Sequence, residues 1–371
     1  MTEGSQAFST ARWLCGRRVE TWPPTPETSV HSISMRVFLT GATGYVGSAL
    51  LEALLRRGTD VTVLVRDSAR LESTGPPDRL RVIPGDLLQP ESYEAALRGA
   101  DAVVHMAALV RVWSPDPQAF ERVNVEATED LIRRALEAGV ARVLYTSTFF
   151  ALGPGRPGQV LDETAPTRPP LRNPYRRTKV EALYRVRRLQ SEGASVITLF
   201  PGVVYGPGRI TEGNFVAGLI RDFLAGRLPG YIGRGHQRWC FAWIHDVVQG
   251  FLHALERGTP GREYILGGEN RTVREFFHYV AAWTGRRPLR WPIPGPVVQT
   301  VAGLQFALDR LRGRPPRLSP SAAGLMLYDW AFTSERACRE LGYTVTSFEV
   351  GLRQTVEWLL SSGTDRCPTC E

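Results

Sequence analysis

Long apolar runs are missing from this 371-residue chain. None approaches the roughly 18 residues that a membrane-spanning helix needs, so no membrane span is expected. Cysteine is scarce and odd in number: Cys15, Cys240, Cys338, Cys367 and Cys370. That excludes a disulfide scaffold and fits a reducing cytoplasm. Cys367 and Cys370 form a terminal CPTC, but one pair supplies only two ligands, so residues 362–371 read as a flexible tail and no metal site is expected. Acidic residues are outnumbered, 37 against 45 Lys and Arg, which leaves a net charge of +8. The arginines are spread along the chain, and no dense basic run interleaves with aromatics. A solvated basic surface that suits small anionic ligands therefore fits better than nucleic-acid binding. Internal repeats and low-complexity segments are absent as well.

What is present is a hydrophobic content of 43%, ample for a buried core. The length suggests about two domains. Residues 1–34 are unlike the rest, with Trp22-Pro-Pro-Thr-Pro26, many Ser and Thr and no apolar centre of a signal peptide. Met35 stands directly before the first apolar run, so residues 1–34 read as a disordered or miscalled extension.

Residues 35–65, MRVFLTGATGYVGSALLEALLRRGTDVTVLV, organise the chain. Val37, Phe38 and Leu39 suit a buried parallel strand. Gly41, Gly44 and Gly47 follow at a spacing of three. Leu50, Leu51, Leu54 and Leu55 then share one side of a helix that Gly58 ends. Val61, Val63 and Val65 begin a second strand. A pyrophosphate needs backbone N–H groups and a helix N-terminus aimed at it, and side chains on the turn would obstruct its approach. Gly41 permits the turn, Gly44 the close passage of backbone past phosphate, and Gly47 the packing of helix on strand. Thr43, Tyr45 and Val46 complete the turn. Beyond Val65 stand Arg66 and Asp67. An arginine at this strand end accommodates the 2′-phosphate of NADP, whereas an acidic residue binds the 2′-hydroxyl of NAD. With Val65 at the strand end, Arg66 favours NADP; the competing reading is a solvated loop arginine.

Residues 80–87 read as a third strand and its exit. Asp86 either accepts from an adenine amino group or caps a helix starting near Pro90. Residues 101–108 form a fourth strand ending in Ala107 and Ala108, small enough for backbone to lie near a cofactor. His105 on it reads as a packed residue. Residues 115–138 are a helical region whose Asn124 bonds either backbone or cofactor. Residues 142–148 are a fifth strand with hydroxyls, Ser147 and Thr148, at its C-terminal end, the end that faces the ligand crevice in open α/β sheets. Asn173 then caps a helix with Pro174 in its first turn. Tyr175 and Lys179 are i and i+4 on one face. A neighbouring ammonium favours the phenolate, so such a tyrosine can exchange a proton with a substrate hydroxyl near neutral pH.

The succession TGATGYVG, GDL, HMAA, YTST, YRRTK and PGVVYGPG, with LGGEN and later FTSERA and ELGY, resembles the extended short-chain dehydrogenase/reductases over about residues 35–361. Within them it is most similar to the dihydroflavonol-4-reductase-like branch, including the hopanoid-associated sugar epimerase group. The resemblance implies that Tyr175 is the acid/base, Lys179 its partner and Thr148 the substrate-binding hydroxyl, with Ser147 the fallback. It places Gly41 to Gly47 on pyrophosphate, Asp86 and Leu87 near adenine, and Pro201, Val203 and Val204 near nicotinamide. Three positions depart from the pattern. Thr148 stands where serine is usual, Ala127 where glycine is usual, and the second strand lacks the acidic residue of NAD-dependent epimerases.

Further on, Phe215–Leu224, 247–255 and 273–283 read as helices, and Glu263–Leu266 and 289–291 as strands. Arg234, His236, Arg238 and Trp239 either border the substrate or belong to a surface loop. Asp246 reads as a helix cap. The apolar stretch 297–308 either docks on a membrane or packs on the domain, with packing preferred. Thr346 and Glu349 read as a capping box opening the last helix.

The expected fold is α/β, a Rossmann-type doubly wound parallel sheet with a smaller C-terminal α+β substrate domain. Residues 35–206 would form the dinucleotide-binding part, with 240–258 packing back on it, and 207–361 the substrate-binding part. The expected function is an NADP-dependent oxidoreductase, with NAD as the other candidate cofactor, acting on a small-molecule carbonyl or secondary alcohol in the cytoplasm. An NAD-dependent nucleotide-sugar epimerase or dehydratase is the first alternative and a non-catalytic dinucleotide sensor the second. Steroid-like alcohols are a further substrate option. Oligomeric state stays open, although helix-face homodimers are usual in the family.

Overall fold

The computed structural model describes residues 35–71, 76–167, 172–316 and 318–362. The readings made for residues 1–34 and for the CPTC tail lie outside these. Six strands alternate with helices through the first two hundred residues: β1 (Arg36–Thr40), β2 (Asp60–Val65), β3 (Leu80–Pro84), β4 (Ala102–His105), β5 (Arg142–Thr146) and β6 (Val196–Pro201). They are followed by β7 (Val203–Tyr205), β8 (Tyr231–Ile232), β9 (Arg238–Trp243), β10 (Glu263–Leu266), β11 (Glu269–Thr272) and β12 (Pro292–Ile293). One seven-stranded sheet has the order β10-β6-β5-β4-β1-β2-β3, every pair parallel. Chain direction across the sheet reverses between β1 and β4, which places a ligand crevice at their C-terminal ends. Short sheets β11-β9-β7 and β12-β8 stand beside it.

The helices are α1 (Tyr45–Arg56), α2 (Glu94–Leu97), α3 (Ala119–Glu121), α4 (Ala127–Glu137), α5 (Pro174–Ser191), α6 (Phe215–Leu224), α7 (Ile244–Arg257), α8 (Val273–Thr284), α9 (Gly295–Leu311), α10 (Pro320–Leu325), α11 (Glu335–Leu341) and α12 (Phe348–Ser361). A core cluster on one sheet face joins Phe38, Val103, Val143 and Val196, one from each of four strands, to Leu97, Leu131, Ile132, Ala182 and Val186 of α2, α4 and α5. On the strands these are the alternate positions that a period of two turns to one face. Helix α7 packs on α1 and on β5, β6 and β10, with α11 against it.

Several local expectations need correction. The strand expected at 289–291 is displaced to β12, which begins directly after that segment. Tyr231 donates its N–H to the Trp291 carbonyl and Gly233 to that of Ile293, and Pro288 and Pro292 bracket the expected segment. Asp246 does not cap α7. It lies in the first turn, and its carboxylate accepts from the Thr346 N–H at 2.6 Å and hydroxyl at 2.7 Å. That removes the proposed box at Thr346 too: α12 begins after Ser347 without a side-chain cap. The same Thr-x-x-Glu pattern does form a capping box at Thr272 and Glu275, opening α8. The stretch 297–308 is helical, but only Val298 and Ala302 of α9 are buried; Val297, Val301, Leu304 and Leu308 face out. Packing was therefore the wrong preference for most of its apolar side chains.

Candidate active site

The glycine turn is built from contacts that admit no side chain. Gly41 has φ +82°, and a Cβ there would stand 2.7 Å from the Ala107 nitrogen. A Cβ on Gly47 would stand 2.1 Å from the Gly41 carbonyl oxygen, so helix and turn touch backbone to backbone. Gly44 is the N-cap of α1, with no side-chain cap and no acidic residue in the first turn. A Cβ on it would meet only the Gly41 oxygen, at 3.2 Å. Its outer side is open, and the first N–H groups of α1 have no partner within the helix. Thr43 and Val46 are half-buried beside it. Tyr45 faces inward instead: its ring is buried and its hydroxyl donates to the Gly206 carbonyl at 2.9 Å. What Tyr45 offers an anion is its backbone N–H.

Around the turn, Arg66 is exposed just past β2, while Asp67 accepts from the Ala69 N–H and caps a short turn. Arginine and carboxylate thus stand side by side at the strand end, with one carboxylate oxygen engaged by the turn. Asp86 accepts from the Leu88 N–H at 2.9 Å, a local turn rather than a cap at Pro90, whose 3₁₀ turn has no side-chain cap. Leu87 is buried in the core cluster. The N–H groups of Met106 and Ala107 donate to the Thr40 hydroxyl at 3.2 Å each, which draws the end of β4 against the glycine turn, with Ala107 and Ala108 half-buried. Pro201 ends β6, and Val203 and Val204 start β7.

His105 is buried, with Nδ1 2.8 Å from the Thr40 hydroxyl and Nε2 3.0 Å from the Thr128 hydroxyl. Burial lowers its pKa to about 3, so it is a neutral structural bridge. Asn124 lies in a π turn, Arg122–Glu126, between α3 and α4. The amide accepts from the Leu109 N–H and donates to the Leu109 carbonyl and the Thr178 hydroxyl. It ties the Thr178 hydroxyl of α5 to the Leu109 backbone of the loop after β4, so the amide does bond backbone, the first of the two readings its sequence left open.

At the end of β5, Ser147 and Thr148 sit side by side. The Ser147 hydroxyl is buried with no hydrogen-bond partner among the described residues. The Thr148 oxygen accepts from the Phe150 N–H at 3.3 Å, leaving its proton to donate. Asn173 caps α5 by accepting from the Arg176 N–H at 2.9 Å, and Pro174 occupies the first turn. Lys179 is buried; its ammonium donates to the Thr146 carbonyl at 2.7 Å and lies 4.7 Å from the Tyr145 ring centroid. Burial brings the lysine pKa down to about 7. Burial pushes the Tyr175 phenol up to about 12, with the Thr148 hydroxyl pulling the other way. The phenol is therefore raised rather than lowered in the protein alone, because desolvation dominates both groups, while the ammonium keeps two further N–H donors besides the one given to Thr146. A phenol held protonated is a proton donor at neutral pH.

Beside this cluster lies a cleft of about 810 Å³. Pro174 and Arg176 of the first α5 turn line it; Tyr175 itself does not, so cleft and hydroxyl cluster meet at that turn. Its walls are largely apolar, with Trp113, Phe120, Phe306, Leu325 and Tyr328. Arg176 went unnoticed in the sequence, where it reads as filler between Tyr175 and Lys179. It is buried, donates to the Phe150 carbonyl at 2.8 Å and lies 5.3 Å from the Trp330 ring centroid. The wall from α9 and α10 also had no legible signal. Arg234, His236, Arg238 and Trp239 do not line the cleft. The first two are exposed, Arg238 pairs with Asp329, and Trp239 is buried against Phe215 and Phe241.

The donor set fits a dinucleotide: an open glycine turn with N–H groups to spare, and an unpartnered buried hydroxyl beside a tyrosine. Comparison with known proteins agrees. Residues 37–267 match the model of the NAD dependent epimerase/dehydratase family. The chain is 31% identical over 335 residues to sterol demethylase protein B of Methylococcus capsulatus, covering 89% of this chain and 99% of that one. It is 30% identical over 322 residues to a 3 beta-hydroxysteroid dehydrogenase/Delta 5-->4-isomerase of Mycobacterium tuberculosis, covering 83% and 85%. Among solved structures, MoeE5 in complex with UDP-glucuronic acid and NAD superposes with a TM-score of 0.69 at 29% identity, over 88% of this chain and 99% of that one.

Proposed function

The chain belongs to the NAD dependent epimerase/dehydratase family, within the extended short-chain dehydrogenase/reductases, and from that premise we propose that it is an NADP-dependent oxidoreductase acting on an apolar ketone or secondary alcohol. The cofactor, when bound, supplies or accepts the hydride. The chain's own residues do the rest. The N–H groups around Gly41, Gly44 and Gly47 hold the pyrophosphate, and Arg66 meets the 2′-phosphate. Lys179 holds the nicotinamide ribose. In the reducing direction Tyr175 donates its phenolic proton to the substrate oxygen while the Thr148 hydroxyl bonds the same oxygen, stabilising the charge that develops there. Alcohol oxidation runs the same proton in reverse.

The observation that carries this reading is a largely apolar cleft lined by Pro174 and Arg176, the two residues on either side of Tyr175 in the first turn of α5. Two arginines line the wall: the Arg176 guanidinium is already bonded to the Phe150 and Leu152 carbonyls, and Arg172 is exposed at the rim, while the aromatic and aliphatic side chains make up most of the surface. The names of two relatives, a sterol demethylase protein and a hydroxysteroid dehydrogenase, point to the same substrate chemistry. The second reading, a nucleotide-sugar epimerase or dehydratase that retains NAD, is favoured by the MoeE5 complex.

The test is turnover of a panel of cyclic ketones with NADPH and with NADH, for the wild type, Tyr175→Phe and Arg66→Ala. We expect Tyr175→Phe to lose about 10²- to 10⁴-fold in kcat/KM, and Arg66→Ala to erase a preference for NADPH. Full activity in Tyr175→Phe would sink the acid/base assignment. NAD that co-purifies, with no ketone turned over, would move the protein to the second reading.

A further inference from the structure

Helix α9 is amphipathic the wrong way round for a helix on a protein surface. Val297, Val301, Leu304, Leu308 and Leu311 follow one another at intervals of four, three, four and three residues, which places them on a single stripe. All five are exposed, from 48% for Leu308 to 83% for Leu311. The opposite side packs inward: Val298 and Ala302 are buried with Ala323 of α10, and Phe306 lines the cleft. Trp291, four residues before the helix, is 72% exposed. A stripe of this kind on a monomer marks a surface meant to be covered.

The charge around it says by what. From Arg286 to Arg314 the chain carries six arginines, Arg286, Arg287, Arg290, Arg310, Arg312 and Arg314, against a single acidic residue, Asp309. All six are exposed. Arginine clusters therefore flank both ends of the apolar stripe, and an exposed tryptophan stands at its start. That is the composition of a helix lying in the plane of an anionic bilayer, with aliphatic side chains among the acyl chains, tryptophan at the headgroup level and arginines on the lipid phosphates. A second copy of this chain fits worse, because pairing two such faces would set arginine clusters against each other.

We propose that α9, with Trp291 and its flanking arginines, docks the protein reversibly on an anionic membrane surface. No helix among the described residues is long and apolar enough to cross a membrane, so the attachment is interfacial. The inner side of α9 is also a wall of the cleft, so docking brings the cleft to the lipid surface. This holds whether the substrate proves to be an apolar ketone or something else, and its test does not use activity.

The full-length chain is sedimented with phosphatidylcholine vesicles and with vesicles that also contain phosphatidylglycerol, at low and high salt. Binding should favour the anionic vesicles and weaken as salt screens the phosphates. The double variant Leu304→Ser/Leu308→Ser should lose at least about tenfold in vesicle affinity while keeping its melting temperature and NADPH affinity. Three results would overturn the proposal. One is no vesicle binding. Another is binding that the double variant retains, which would place it elsewhere in the chain. The third is a wild-type dimer that the double variant converts to monomer by light scattering, which would make a second copy the occupant of the stripe.

Discussion

The crevice and the cleft are built by opposite means. Around Gly41 to Gly47 the chain works with backbone: at Gly41 and Gly47 other main chain is so close that a Cβ would collide, and the first N–H groups of α1 have no partner within the helix. The cleft is made of side chains from distant segments, Trp113 and Phe120 before β5, Arg176 on α5, Phe306 on α9 and Tyr328 after α10. A backbone site has one solution and tolerates almost no change. A side-chain site can be reshaped residue by residue with the scaffold intact.

The comparison breaks hardest at Gly47. Gly47→Ala places a methyl 2.1 Å from the Gly41 oxygen, and either helix or turn must move. We expect loss of measurable NADPH binding by fluorescence titration, and a melting temperature lower by the equivalent of about 1–3 kcal/mol for overpacking. Cofactor affinity unchanged by Gly47→Ala would show that this contact is not what shapes the turn.

His105 lies beneath the same turn and carries the next effect. Replacing it by Phe leaves the Thr40 and Thr128 hydroxyls without their ring partner, at a cost of about 1–3 kcal/mol each where the group stays unsatisfied. The pH signature is distinctive. The native ring holds out against protonation down to about pH 3, whereas the unfolded one takes a proton near its ordinary value of 6.5. Between those values the unfolded state binds more protons, so His105 costs nothing above pH 6.5 and destabilises progressively as pH falls below it. Wild type should therefore lose more stability than His105→Phe between pH 6.5 and 4, in paired denaturant titrations. Parallel curves would mean that the ring is not held neutral.

Phe306→Ala, on the cleft side of α9, should do least. It enlarges the cleft and removes contact with an apolar substrate equally in ground and transition states, so KM should rise severalfold with kcat nearly constant. A fall in kcat would mean that the wall also positions the reacting carbon.

The same contrast explains what could be read beforehand. Strand order, the glycine turn and the α5 cap are local patterns that hydrophobic period and backbone geometry impose together, so Val37 to Val65 and Asn173 to Lys179 were legible. Two Thr-x-x-Glu segments show where legibility ends. Thr272 and Glu275 cap α8 reciprocally, but Thr346 gives both its N–H and its hydroxyl to Asp246, a hundred residues away in sequence. Nothing within either segment distinguishes them; the buried carboxylate decides. Arg176 and Phe306 were hidden for the same reason, since their value lies in what distant segments place beside them. The Tyr175 and Lys179 pair was read from spacing, and spacing says nothing of the burial that raises the phenol, because burial is a property of the assembled site.

The edge of the large sheet has a consequence for synthesis. β10 closes the sheet beside β6, and Glu263 at its start accepts from Arg187 Nε and Nη2 at 2.7 and 2.8 Å. At translation speeds of roughly 5–20 residues per second, several seconds separate emergence of β6 from that of β10. During that interval the nascent chain presents an unpaired β6 edge, apolar except for Thr198, to its surroundings. A ribosome that stalls in the intervening stretch would leave a glycine turn already able to fold and a sheet still open to any passing strand.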